Sequence, residues 1–128
     1  MHTLRVINNA ALSSLSAFSS VQSMSQTLEL RDSSLLSTLS LSSLISAGDL
    51  LLSQMDALVD LSGLNALTSL NSLTISGCDR LTSLSHLGAS VTALSGSTGL
   101  LVENNAKLVD LSGLSALQSV GALTVRNN

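Results

Sequence analysis

The feature that most constrains this chain is a recurrence. A leucine followed two positions later by a second apolar residue opens at Leu4, Leu28, Leu50, Leu73, Leu100 and Leu123, at intervals of 24, 22, 23, 27 and 23 residues. The second residues are Val6, Leu30, Leu52, Ile75, Val102 and Val125. Alternation with period two is the pattern of a short strand with one face inward, so each repeat is expected to begin with a strand. Eight positions after the first five starts come Leu12, Leu36, Leu58, Leu81 and Leu108, and apolar residues then recur about every third position, as Leu61, Leu64, Leu67 and Leu70 do after Leu58. Residues 59–70 (VDLSGLNALTSL) and 109–120 (VDLSGLSALQSV) agree at nine of twelve positions. A repeat of this length points to a stacked array.

The every-third leucines do not make an amphipathic helix. A step of three residues turns about 300° on a helix, so successive leucines drift by about 60° and smear around it instead of forming a stripe. Serine and threonine fill the intervals, and their hydroxyls compete for backbone hydrogen bonds in helix interiors. A three-residue period suits extended, polyproline-like or short 3₁₀ segments with one side inward. Each repeat therefore reads as strand, turn and irregular return. One such coil buries too little apolar surface to offset the entropy of ordering it, so neighbouring coils must share a core and pair their strands in parallel. The expected fold is β-rich: a leucine-rich, right-handed parallel β-solenoid of about five coils plus an opening strand. At ~4.8 Å per coil it would form a rod about 25 Å long. No proline-rich, glycine-rich or charged linker divides residues 1–128. They are read as one solenoid domain, expected to be a segment of a longer repeat protein because neither terminal coil carries a cap.

Composition removes several classes of function. The chain of 128 residues has 30 leucines and 27 serines, no proline, tryptophan or tyrosine, and a net charge of −3. With 10% charged residues and no basic stripe it lacks the surface that nucleic acid requires. Its positive mean hydropathy of +0.49 comes from scattered leucines. Runs such as Leu50–Leu52 fall far short of the roughly 18 residues needed to span a bilayer, so no membrane insertion is expected. Met1-His2-Thr3-Leu4 runs into polar Asn8 and Asn9 without the basic and apolar regions of a signal peptide. Cys78 is the only cysteine, so no internal disulfide exists.

The segments LNSLTISGC (70–78) and VGALTVRNN (120–128) fit the pattern L-x-x-L-x-L-x-x-[NC]. In these the chain resembles leucine-rich-repeat solenoids. TLRVINNAALSSL, LLVENNAKLVDLSGL and ALTVRNN are more closely similar to the receptor L domain of insulin-receptor and epidermal-growth-factor-receptor relatives. The resemblance is strongest from Leu50 onward. It implies a non-enzymatic module that recognises a protein or other extracellular ligand, on a cell-surface or secreted protein. The chain departs from that pattern in having no disulfides, no prolines, almost no aromatics and no caps.

If the strands carry a binding face, its residues lie one and three places after each start. They are Arg5 and Ile7, Glu29 and Arg31, Leu51 and Ser53, Thr74 and Ser76, Leu101 and Glu103, and Thr124 and Arg126. Arg5 is expected beside Glu29, and Glu103 beside Arg126, which would serve strand register and solubility. Leu51, Leu101 and Ile7 would be the apolar anchors of a ligand surface. Asn9, Asn105 and Asn128 share a strand-end turn with Ser33, Met55 and Cys78, where an inward amide can satisfy turn backbone. Cys78 is thus read as a turn residue, and the set Cys78, Asp79 and His86 as no catalytic site. Asp60 and Asp110 each open an Asp-Leu-Ser-Gly turn and are expected to cap it. No metal-ligand cluster, phosphate loop or cofactor motif is present in the sequence. The long interval between Leu73 and Leu100 predicts a bulging loop within 86–99. Uncapped ends also leave room for end-to-end self-association, the alternative being a structural or adhesive element.

Overall fold

The computed structural model describes residues 1–87 and 90–128. Its architecture is a parallel β-solenoid of about five turns. The strands are β1 (Leu4–Ile7), β2 (Ser23–Arg31), β3 (Ser46–Ser53), β4 (Ser69–Ser76), β5 (Ala93–Leu94), β6 (Leu100–Glu103), β7 (Ser119–Val120) and β8 (Leu123–Arg126). Six of them form one sheet in the order β1-β2-β3-β4-β6-β8, every pair parallel. The register stacks Leu4, Leu28, Leu50, Leu73, Leu100 and Leu123 rung upon rung, the repeat starts read from the sequence.

The core is a column of those leucines and their partners two positions on. Leu28, Leu30, Leu52, Leu73, Ile75 and Val102 are fully buried, and the return-arm leucines Leu36, Leu58, Leu61, Leu64, Leu81, Leu84 and Leu87 meet them from the other side. The three-residue period has a direct cause. The N–H of Leu58 donates to Met55 O, that of Leu64 to Leu61 O and that of Leu67 to Leu64 O, so each turn closes on an inward leucine. Three of these turns are 3₁₀ segments, Ser16–Phe18, Ser62–Leu64 and Ser112–Leu114. The residue two before each carries a side-chain oxygen that accepts from the first N–H of the turn. Ser62 and Ser112 N–H donate to Asp60 and Asp110 Oδ1 at 2.9 Å, and Ser16 and Ser85 N–H to Ser14 and Ser83 Oγ at 3.1 and 3.0 Å. Here the serines satisfy turn backbone that a helix would otherwise claim.

The structure differs from the sequence reading in two places. Strands β2, β3 and β4 begin four or five residues before the leucine start, with a register irregularity between Met24 and Thr27. Met24, Ala47 and Leu70 point inward in this extension, a second alternating stretch obscured by the serines between them. The long interval before Leu100 is not simply a bulge: Val91 and Leu94 are buried, and β5 pairs with β7 in a small second sheet. Residues 88 and 89 of the expected loop lie outside the described residues.

Candidate functional site

Every strand of the main sheet ends in the same tight turn. The residue after it has a left-handed backbone in all six rungs: Asn8 (φ 58°), Asp32 (52°), Gln54 (52°), Gly77 (64°), Asn104 (55°) and Asn127 (54°). Asparagine, aspartate and glycine tolerate this region best, which accounts for five of the six choices. Its N–H continues the ladder to the next coil: Asn8 to Arg31 O, Gln54 to Ser76 O and Asn104 to Arg126 O, at 3.1, 2.9 and 3.2 Å. The sequence reading placed the turn asparagines correctly but missed this preceding column, whose signal is the Asn-Asn pair itself.

The following residue turns inward, and there the asparagines reach back to the preceding coil. Asn105 Oδ1 accepts the N–H of Cys78 at 2.9 Å while its Nδ2 donates to Ile75 O at 3.2 Å. One coil later Asn128 Oδ1 accepts the N–H of Asn105 at 3.1 Å and its Nδ2 donates to Val102 O at 3.1 Å. Asn9, in the first coil, donates instead to its own strand at Ile7 O, 2.9 Å. Among the described residues no buried side-chain nitrogen or oxygen lacks a partner. Cys78 sits in this column fully buried, its Sγ 3.8 Å from Ser76 O. Burial pushes its thiol up to about 11, so it is not a thiolate at neutral pH. His86, by contrast, lies exposed on the return arm with Nδ1 3.4 Å from Ser85 Oγ. The two side chains occupy inward and outward columns and form no pair.

Hydrogen bonds from the Ser62 hydroxyl and N–H hold the Asp60 carboxyl below the usual aspartate range. Asp110 is lowered in the same way by Ser112, with a further bond from Ser83 Oγ at 3.0 Å. Both carboxylates are engaged in turns, as their sequence context predicts. Among the described residues no group of three or more His, Cys, Asp and Glu could hold a metal, and no helix is long and apolar enough to cross a membrane.

The outward side of the six-stranded sheet holds the twelve strand-face residues in two columns. One runs Arg5, Glu29, Leu51, Thr74, Leu101, Thr124; the other Ile7, Arg31, Ser53, Ser76, Glu103, Arg126. None of them is buried. Arg5 Nε lies 3.0 Å from Glu29 and Arg31 Nε 3.4 Å from the same carboxylate, while Arg126 Nε is 2.7 Å from Glu103. Glu103 also accepts from Ser76 Oγ at 3.4 Å. The charges therefore gather at the two ends of the sheet. Between them Leu51, Ser53, Thr74, Ser76 and Leu101 make an uncharged, half-buried middle.

No family model, curated protein or solved structure matches this chain. The geometry is thus the basis of the functional reading. The main sheet's interior backbone groups are consumed by the ladder, so this face offers side chains alone: two leucines, an isoleucine, hydroxyls and ion-paired charges. Such a set suits contact by shape and desolvation.

Proposed function

We propose that the protein is a non-catalytic recognition module of the leucine-rich-repeat type, closest to receptor L domains, working at a cell surface or in a secreted protein. The binding face is the outward side of the main sheet, and the ligand a protein or other extracellular molecule. The observation that carries this reading is the middle of the face. Leu51 and Leu101 flank Thr74 on consecutive rungs, half-exposed on a rigid ladder, while the charges are gathered into ion pairs at either end. Apolar anchors on a pre-ordered surface lose little entropy on binding. The repeat motif and the Asn-Asn strand ends, similar to receptor L domains, support the placement.

The test is an array of extracellular protein domains and cell-surface glycans, probed with the intact chain and with Leu51→Lys/Leu101→Lys. A ligand of this face binds the parent and loses at least tenfold with the double variant, whose melting temperature stays within a few degrees. Ligands held equally by both proteins, or no ligand at all, would overturn the reading.

A further inference from the structure

Charge is unevenly spread over this molecule. The outward face of the main sheet carries three arginines and two glutamates, a net side-chain charge of +1, while the rest of the chain sets Arg80 and Lys107 against six aspartates and carries −4. On the face the two signs are also presented differently. The Glu29 and Glu103 side chains are only 17% and 16% exposed, whereas those of Arg5, Arg31 and Arg126 are 64%, 48% and 62% exposed. Each arginine approaches its carboxylate most closely through Nε. The glutamates thus brace the guanidinium groups from below, and the terminal Nη pairs of such exposed side chains stay open to a second carboxylate. A ligand of this face meets arginine first. Coils stack along the solenoid axis, so no rung of the ladder covers its outward side.

The register sets the distances between these groups. Arg31, Ser53, Ser76, Glu103 and Arg126 follow one another in a single column, so the two arginines are four rungs apart, about 19 Å at ~4.8 Å per rung. Leu51 and Leu101 lie in the adjoining column, one and three rungs beyond Arg31, or about 5 and 14 Å along the same axis. In an extended chain alternate side chains share one side, and four of them fall at about 0, 7, 13 and 20 Å. That series meets arginine, leucine, leucine and arginine to within about 2 Å. We infer, building on the strand-face reading above, that the ligand of this face is an extended acidic polypeptide segment of pattern Glu-x-Leu-x-Leu-x-Glu. It lies along the solenoid axis between the two columns, with one terminal carboxylate on Arg31 and Arg5, the other on Arg126, and its leucines over Leu51 and Leu101. Carboxylate on a braced guanidinium is a charge-assisted and directional contact. A sulfated glycan offers anions but no apolar side chains to cover the two leucines, and the acidic remainder of the chain repels a long polyanion.

The probe is the end-capped peptide Glu-Ser-Leu-Thr-Leu-Ser-Glu, titrated calorimetrically into the 128-residue chain. One peptide should bind per chain, and more weakly as salt is raised. Replacing both glutamates of the peptide by glutamine should weaken it about tenfold. Arg31→Gln/Arg126→Gln in the chain should do the same without unfolding it, because both side chains are exposed. The reordered peptide Glu-Glu-Ser-Leu-Thr-Leu-Ser should lose a similar factor, which separates spacing from charge alone. Leu51→Ser/Leu101→Ser, which leaves the charge of the face unchanged, should also weaken binding. Equal binding of the glutamate and glutamine peptides, both weakened by that leucine variant, would overturn the acidic pattern and leave the strand face as the binding surface. Binding of the acidic peptide that survives the leucine variant would put it elsewhere and overturn both. No binding at ~1 mM peptide, or tighter binding of a heparin oligosaccharide than of the peptide, would overturn the inference and leave the face to the array experiment above.

Discussion

At the scale of single residues, the side chains that matter most are those that stand between one coil's backbone and the next. Asn105 is fully buried and bonds at once to Cys78 N–H, Ile75 O and Asn128. Leucine would fill similar volume but leave the N–H of Cys78 and the carbonyl of Ile75 buried without this partner. Asn105→Leu is expected to cost about 2 kcal/mol, the penalty for orphaning a buried polar group, read by urea denaturation. A loss below about 0.5 kcal/mol would show that water or a shifted turn replaces the amide. Residue type alone does not forecast such a role: Asn9 and Asn128 have the same place in the repeat, yet both are exposed because they lie in the terminal rungs.

The individual turn is the next scale. Asp60 and Asp110 each accept the N–H of the serine two residues on, and in the native state both titrate lower than in the unfolded chain. A carboxyl depressed by folding contributes stability above its unfolded value, near pH 4, and loses it as pH falls through the folded value. Stability should therefore drop as the pH is lowered below about 4. Asp60→Asn/Asp110→Asn should flatten that part of the profile, followed by thermal melts from pH 2 to 7. A profile unchanged by the double substitution would mean the two turns carry none of the linkage. The Asp-Leu-Ser-Gly motif made these caps legible in the sequence. The equivalent Ser14–Ser16 and Ser83–Ser85 caps were hidden, because serine is so abundant that no single one stands out.

For the molecule as a whole, the relevant property is one-dimensional coupling. Each rung contacts only its neighbours, through the leucine column and the parallel ladder, so a charge buried in a middle coil should uncouple the array. Leu64 is fully buried in the third of these coils, midway along the stack. Leu64→Asp should abolish cooperative unfolding, because a carboxylate in that column has no partner and must either ionise in apolar surroundings or open the coil. A calorimetric transition of parental shape and midpoint would disprove the stacking register.

Strand starts, the inward column and the outward face followed from the sequence, because period-two and period-three patterns report which side of the backbone must avoid water, and that is a local property. Leu4, Leu28, Leu50, Leu73, Leu100 and Leu123 stack as their spacing requires. What only the tertiary structure decided was set by neighbours beyond the repeat. The backward extension of β2, β3 and β4 and the pairing of β5 with β7 both depend on which coil lies next to which. So does the difference between Leu58 and Leu64, fully buried in a middle coil, and Leu12, Phe18, Leu108 and Leu114, half-covered at the same positions of the outer coils. Burial of a repeated residue depends on whether another layer lies over it, and identical local patterns contain no record of that layer.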